Sequence, residues 1–371
     1  GIAPFGDPNK YDLSPLAKIR NKKFYVDTRL IGTVGLRRYK AKSRGHYFSQ
    51  KLVDMLGPRR VGNLVDDPYV HYAAAIQKLY EDMAVRLIEL HLGEVLADCG
   101  RLAVAGTGSL NIRLNQRLAA MPQVKELVVH SAAGDSGTAI GAAAYAVRKA
   151  GEKLKPVPNL LLGPSYSRPS CIAACRRHRE NPDFVELENP HEKAAELLAQ
   201  GEPVAWFRGR MEFGSRALGN RSILANPTIE GISDAINTRV KFRESWRPFS
   251  PSVLDIAAAE FLGNQPRDEF MCVGVIASDS WREKYPALVY PDGGTRAQIV
   301  TEQGHPDFYR LLQRFHELTG HPLLINTSLS RPGEALVCSP DDALNMFMGT
   351  DLKYLVLQDL LVTKRALKET W

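Results

Sequence analysis

Between Pro68 and about Leu92 the apolar positions Val70, Ala73, Ala74, Ile76, Leu79, Met83, Leu87 and Leu90 recur at three- and four-residue steps, the period of a helix. A short unbroken apolar run then follows, Leu102-Ala103-Val104-Ala105, the pattern of a buried strand, and it enters the glycine loop Gly106-Thr107-Gly108-Ser109. The pattern predicts a helix from Asn111 to Ala120 and a second strand over Val124 to Val129. That strand leads through Ala132–Gly137 into a small-residue helix reaching Val147. Strand, glycine turn and helix, twice over, indicate α/β layering. In the second half, a helix at 191–200 precedes a strand at Val204–Phe207 and a long segment rich in glycine and arginine. A helix at 307–319, a strand at Leu323–Ile325, a helix near 340–348 and a strand at Leu355–Leu357 complete the pattern.

A chain of 371 residues exceeds one ordinary core, so two domains are expected. Pro156, Pro158, Pro164 and Pro169, with Gly151 and Gly163, mark the linker, which divides the chain into 1–155 and 156–371. No apolar run is long enough for a spanning helix. The start, Gly1-Ile2-Ala3-Pro4-Phe5-Gly6, has neither an initiator Met nor the layout of a signal peptide, and reads as the interior of something longer. The net charge of +7 points to anionic partners without choosing between nucleotides, phosphorylated metabolites and RNA. Five cysteines give no disulfide framework, and the odd count fits a reducing cytoplasm. Cys171, Cys175 and His178 lack a fourth ligand at zinc-like spacing, so a structural role is expected of them. The basic stretch Arg37, Arg38, Lys40, Lys42 and Arg44 reads as a solvated rim.

Four segments carry candidate chemistry. Ala105–Asn111 is a glycine turn after a strand, a place where backbone N–H groups can approach a phosphate. Asn111 stands where a dinucleotide fingerprint needs its third glycine, so a tight structural turn is an equal reading. Asp135, in Ala133–Gly141, can cap the following helix or bind a metal, and the residues alone favour the cap. From Phe207 to Phe249, eight cations meet four acids. Arg239, Arg243 and Arg247 are spaced four apart, and one helical face would carry all three if the helix persists. The interspersed Phe207, Phe213, Leu218, Ile223 and Phe249 imply partial burial, and buried arginines call for anions, hence a polyanion pocket. Leu324–Ser328 ends a strand in short hydrogen-bonding side chains, which a plain turn would also explain.

Together these segments resemble the nodulation- and antibiotic-type O-carbamoyltransferase family. The resemblance rests on GIAPFG (1–6), VAGTGSLN (104–111), AAGDSGTAIGAA (132–143), LGPSYS (162–167), FRGRMEFGSRALGNRSIL (207–224), VKFRESWRPFSPSVL (240–254), TRAQ (295–298) and INTSLSRPGEALV (325–337). It implies an α/β fold in two parts. Residues 1–155 would be the C-terminal portion of an actin-like domain, similar to the tRNA threonylcarbamoyl transferases, and 156–371 a YrdC-like domain. The chemistry implied is formation of carbamoyl adenylate from carbamoyl phosphate and ATP, then carbamoyl transfer to a hydroxyl of a small-molecule acceptor with the help of a bound Fe(II). By family match, Arg210, Arg216, Lys241, Arg243 and Arg247 are the phosphate-binding choices, with Arg296, Asn326 and Ser328 completing that pocket. Gly106, Gly108, Asn111, Gly134 and Gly137 match the nucleotide side of the actin-like domain, and Asp135 matches a metal ligand.

The sequence departs from the family pattern in places. Arg208 and Ser215 replace the usual Gln and Pro, Thr107 and Ser109 replace Gly and Ala, and Leu329-Ser330 replaces Phe-Asn. The family's metal also needs two histidines four apart, on a lobe that normally precedes GIAPFG. The histidines here, at 46, 71, 91, 130, 178, 191, 305, 316 and 321, include no such pair. The expectation is a chain whose transfer site is incomplete without an N-terminal lobe, while its YrdC-like half can still make the adenylate. Two rival readings are a tRNA threonylcarbamoyladenosine-type RNA-modifying enzyme and a non-catalytic nucleotide-binding relic. The arginine-run motif favours the small-molecule family over nucleic acid.

Overall fold

The computed structural model describes residues 1–31, 49–58, 60–155 and 159–364; the basic stretch from Arg37 to Arg44 lies outside these residues. The chain divides into two compact units, residues 1–102 with 116–127, and residues 103–115 with 128–371.

In the first unit, β1 (Ala17–Arg20) and β2 (Lys23–Val26) form an antiparallel hairpin. Its two turn residues, Asn21 and Lys22, both take positive φ, the geometry that matches a tight turn to strand twist. The long helix runs Tyr69–Cys99, beyond the predicted end near Leu92, because the lone Gly93 weakens a helix without ending it and no proline intervenes before Gly100. Gly100 ends it in the left-handed conformation, its N–H donating to the Leu96 carbonyl. Leu13 and Leu16 pack against Ala75 of this helix. Gly6 lies so close to it that an added Cβ would sit 2.3 Å from the Val70 carbonyl oxygen.

Strands β3 (Arg101–Val104) and β4 (Glu126–Val129) form where the apolar runs predict them. The helix Ile112–Ala119 starts at Asn111, whose side-chain oxygen accepts from the N–H groups of Arg113 and Leu114. The small-residue helix is Thr138–Lys149.

The second unit is built on a mixed eight-stranded sheet. Its strands are β5 (Asp183–Glu186), β6 (Val204–Phe207), β7 (Arg221–Ala225), β8 (Ser250–Leu254), β11 (Gln298–Val300), β12 (Leu323–Ser328), β13 (Tyr354–Leu357) and β14 (Leu360–Thr363). The two-residue strands β9 (Val275–Ile276) and β10 (Gly294–Thr295) pair separately. The sheet order is β11-β8-β12-β7-β6-β13-β14-β5, with β11–β8 and β13–β6 parallel and the other pairs antiparallel. Side chains alternate between two cores. Ala205, Phe207, Ile223 and Leu355 enter one, while Val204, Trp206, Leu224 and Val356 enter the other. The helices Pro190–Ala199 and Pro306–Thr319 supply Leu198, Phe308 and Phe315 to the second core; Arg168–Arg177 and Pro340–Met348 supply Cys171, Cys175 and Phe347 to the first. Both faces being covered explains why the central strands read as unbroken apolar runs. Burying each large side chain of this kind contributes roughly 1.5–3 kcal/mol.

Cys171 and Cys175 are fully buried there, and burial pushes their thiols up to about 12 and about 11. His178 lies at the end of their helix, its Nε2 3.3 Å from Asn345 Oδ1.

Candidate active site

The arginine-rich segment folds around one buried carboxylate. Glu212 is 2% exposed, and its Oε1 accepts from the N–H groups of Leu218 (2.7 Å), Asn220 (3.0 Å) and Arg221 (3.2 Å). This closes residues 213–220 into a loop that holds out Ser215, Arg216 and Ala217. Arg221 plugs its base, with the guanidinium 3.6 Å from the Phe207 ring centroid and donating to the carbonyls of Arg208 and Asn220. Burial lowers the Arg221 pKa to about 10, against the pull of Glu212. The premise that buried arginines call for ligand anions is therefore corrected here, because backbone carbonyls and a protein carboxylate serve Arg221. Arg208 is likewise consumed by the protein, donating to Asp307 (3.1 Å) and Asp359 (2.8 Å).

The expected helical face for Arg239, Arg243 and Arg247 does not form. A helical turn at Ile232–Ala235 passes into a π turn at Ile236–Val240 and stops there, and Phe242 takes a φ of 42°. Asn237 is the physical reason. Its Nδ2 captures the carbonyls of Ser245 (3.1 Å) and Arg247 (3.0 Å), and its Oδ1 accepts from Arg243 Nε (2.6 Å). The chain is thereby curled into a loop. Arg239 stays exposed outside it, whereas Arg243 and Arg247 reach a shared cavity.

That cavity has a volume of about 270 Å³. Arg216, Arg243, Arg247 and Arg296 line it together with Asn326 and Ser328, and no carboxylate does so among the described residues. Arg216, Arg243 and Arg296 are half-buried, while Arg247 is exposed at the rim, 3.7 Å from Glu244. Arg243 packs over Phe249, 4.6 Å from the ring centroid. Arg296 sits at the bend between β10 and β11, its Nε donating to Ser250 Oγ at 3.2 Å. Burial lowers the pKa of all three inner arginines, and neighbouring arginines add to the effect for Arg243 (to about 10) and Arg296 (to about 9). Glu244 acts on Arg243 and Asp268 on Arg296, but desolvation still outweighs them, and an anion in the cavity would supply further counter-charge.

Of the eight residues expected to bind phosphate, the fold thus gathers six around one space. Lys241 is close by but does not line it. Its Nζ is turned away into the carbonyls of Ser328 and Ser330. Arg210 lies outside the cavity, its exposed guanidinium donating to the carbonyls of Gly163 and Leu162. The expected nucleotide-side glycines form two turns packed on one another. Gly106, at φ 98°, donates to the Ala133 carbonyl, and the Gly108 carbonyl accepts from Asn111 N–H. Gly134 faces Leu110 and Thr107, while a Cβ on Gly137 would sit 2.1 Å from the Ala132 carbonyl oxygen.

Asp135 is exposed at the start of the short turn Asp135–Gly137. Among the described residues no group of three His, Cys, Asp or Glu side chains is placed to hold a metal ion. The residues present do not fit the expected Fe(II), which needs more ligands than one exposed carboxylate supplies. Among the described residues, no helix is long and apolar enough to cross a membrane. Sequence reasoning missed Glu212 and Asn237 as organisers and Tyr290 as a lining residue. Their only sequence signal was proximity to the arginine run or to TRAQ.

The second unit is thus a mixed α/β unit that presents four guanidinium groups to one cavity. Residues 11–144 match the Carbamoyltransferase N-terminus family and residues 195–364 the Carbamoyltransferase C-terminus family, and the chain belongs to the carbamoyltransferases. It is 31% identical over 386 residues to nodulation protein NolNO of Sinorhizobium fredii, covering 100% of this chain and 53% of that protein. It is 33% identical over 302 residues to the uncharacterized protein MJ1058 of Methanocaldococcus jannaschii, covering 80% and 49%. The chain thus spans about half the length of these two relatives. Its likeness to the crystal structure of T.kodakarensis HypF is remote, with 16% identity, a TM-score of 0.33, and coverage of 50% of this chain and 23% of that one.

Proposed function

We propose that this chain is the carbamoyl-activating part of an O-carbamoyltransferase. It takes carbamoyl phosphate and ATP, forms carbamoyl adenylate in the arginine-lined cavity, and serves transfer of the carbamoyl group to a hydroxyl of a small-molecule acceptor. In this reading residues 156–371 are the YrdC-like, adenylate-forming domain, and residues 1–155 belong to an actin-like transfer domain with its glycine turns on the nucleotide side. The observation that carries it is the cluster of Arg216, Arg243, Arg247 and Arg296 around one cavity with no lining carboxylate among the described residues.

The chemistry explains why such a cluster is needed. Carbamoyl phosphate and the ATP triphosphate repel each other; water first splits carbamoyl phosphate into carbamate and inorganic phosphate, and a carbamate oxygen then bonds to the α-phosphorus as the α–β bond breaks and pyrophosphate leaves, so both steps build charge on phosphoryl oxygens. Fixed guanidinium groups hold both reactants close and offset that charge without reorganising. Planar forks suit this task better than ammonium groups. A nodulation protein among the relatives supports a small hydroxylated acceptor over a polymer.

The test is pyrophosphate release from ATP by the chain as it stands, with and without carbamoyl phosphate. Release should depend on carbamoyl phosphate and fall by about 100-fold or more in Arg243→Ala and Arg296→Ala. Release that ignores carbamoyl phosphate, or survives both substitutions, would refute the proposal.

A further inference from the structure

Part of the cavity's apolar wall is held by a carboxylate that does not line it. Asp268 Oδ1 accepts from the N–H of Phe270 (2.8 Å), and its Oδ2 accepts from the N–H groups of Val273 (2.9 Å) and Cys272. The Asp268 carbonyl accepts from Ile299 N–H of β11 at 2.8 Å. One residue therefore ties the turn at residues 269–273 to the edge of the sheet. Both carboxylate oxygens are used in doing so.

The turn presents Met271. At φ 57° this residue takes the left-handed conformation that long side chains rarely adopt, and the bonds from Asp268 to the residues on either side hold it there. Met271 is buried against Leu160 and Leu218 and lines the cavity that Arg216 and Arg296 also line. The same turn seats a second apolar lining residue. The Cys272 carbonyl accepts from Asn115 Nδ2 (2.7 Å), and Gly274 N–H donates to the carbonyl of Ile112 (2.9 Å), which faces the cavity too. Burial outweighs the three hydrogen bonds and the pull of Arg296, and raises the Asp268 carboxyl above its ordinary value. A carboxylate is thus a disfavoured choice for a plain turn. Its use makes sense beside a cavity whose arginines hold an anion more strongly when apolar walls keep water away.

We infer that Asp268 is a positioning residue of the anion cavity, whose carboxylate folds residues 269–273 so that Met271 closes the apolar wall beside Arg216 and Arg296. This rests on the proposed anion chemistry of the same cavity, and adds the group that shapes it from outside. Charge and placement make opposite demands at this position. As a negative charge facing Arg296, Asp268 opposes an incoming anion, so its neutralisation alone would tighten binding. As the organiser of the wall it favours the anion, so its neutralisation loosens the site. An amide at position 268 keeps one oxygen for three N–H groups and turns its own NH₂ toward at least one of them. Placement therefore outweighs charge, and the sign of the effect separates the two.

The experiment is calorimetric titration of the whole chain with inorganic phosphate at neutral pH. Wild type, Asp268→Asn, Met271→Gly and the double variant are compared. Glycine adopts the left-handed backbone freely, so Met271→Gly removes the wall without straining the turn. Asp268→Asn should bind phosphate about fivefold or more weaker than wild type, although it removes a negative charge. Met271→Gly should also bind more weakly, and the double variant no more weakly than Asp268→Asn, because the two residues act through one wall. A merely structural role for Asp268 would instead give losses that multiply. Equal or tighter binding by Asp268→Asn, or losses that multiply in the double variant, overturns the inference and leaves the anion cavity standing. If Asp268→Asn does not fold, Met271→Gly decides, and an unchanged affinity in it overturns the inference. Failure of the wild type to bind phosphate overturns the cavity's proposed function and this inference with it.

Discussion

Lys241 holds Ser328 from behind: its Nζ lies 2.8 Å from the Ser328 carbonyl oxygen and 3.0 Å from that residue's hydroxyl. The same ammonium reaches the Ser330 carbonyl at 2.6 Å, so the strand end bearing Asn326 and Ser328 is tied down by one side chain that does not itself line the cavity. Burial drives its pKa down to about 7, and Arg243 and Arg247 push the same way.

This arrangement links anion binding to protons. A phosphate in the cavity offsets the charge of Arg243 and Arg247 and so raises the Lys241 pKa. Binding at pH 8 should take up a fraction of a proton, and affinity should fall as pH rises above about 7. Calorimetry of phosphate binding in buffers of different ionisation enthalpy measures the uptake, and Lys241→Met should abolish it. The fold responds with the opposite sign. Between about 7 and the ordinary lysine value of 10.5 the unfolded chain holds this proton and the folded chain does not, so Lys241's contribution to stability rises with pH across that window. Uptake of zero at pH 8 in the wild type would contradict the linkage.

Glu212 should be a stability residue whose loss also reaches the cavity. Three backbone N–H groups converge on its Oε1, and removing that acceptor leaves buried donors unpaired. Glu212→Ala is expected to cost about 2–4 kcal/mol in denaturant unfolding, with Glu212→Gln, which keeps an oxygen there, costing less. Because the loop from Phe213 to Asn220 carries Arg216, both variants should also bind phosphate more weakly. Unchanged unfolding of Glu212→Ala would show that the loop is held by other contacts.

The contrast between Glu212 and the arginines around it shows where legibility ended. Val204–Phe207 and Leu323–Ile325 were readable as strands because sheet faces covered on both sides demand unbroken apolar runs. The pairings of β6 with β13 and of β12 with β7 and β8 were not readable, since they join segments far apart in sequence. Within the site, residue type predicted arginine clustering but not which arginines. Arg208, Arg210 and Arg221 are chemically equal to Arg216 and Arg243 as letters, and only the carbonyls and carboxylates that fold against them decide who is left facing the cavity. Asn237 looks like any polar residue in a helix, yet it ends that helix and turns Arg243 and Arg247 inward.

Arg208 offers a test of that division. Its guanidinium joins Asp307 and Asp359 away from the cavity. Burial opposes ionisation of Asp307, but hydrogen bonds from His191 and Arg208 overcome it and hold this carboxylate well below its ordinary range. Arg208→Gln should therefore destabilise the fold by about 1–3 kcal/mol near neutral pH, since it strips a partly buried ion pair of one partner. A carboxylate with a lowered pKa gives stability that is present above its unfolded value and lost as pH falls through the folded value. The deficit of the variant should accordingly shrink in acid below about pH 4. Denaturant unfolding at pH 7 and pH 3 checks this, and a deficit that grows in acid would contradict it. Phosphate affinity should be unaltered.

Arg210 and Arg216 then separate residue type from placement. Six positions apart in one motif, they were expected to do the same work. Arg216 opens into the cavity half-buried, whereas Arg210 lies exposed and donates to Gly163 and Leu162 carbonyls. Removing a desolvated cation from a phosphate site costs a charge-assisted hydrogen bond, about 1.5–3 kcal/mol, so Arg216→Ala should weaken phosphate binding by ten- to a hundredfold or so. Arg210→Ala removes only a solvent-screened charge at a distance, so its affinity should stay within about twofold of wild type at physiological salt. Side-by-side titration of the two variants with inorganic phosphate reads the difference directly. Equal losses would mean that the exposed guanidinium swings into the cavity on binding, and that placement in the ligand-free chain does not set the phosphate contacts.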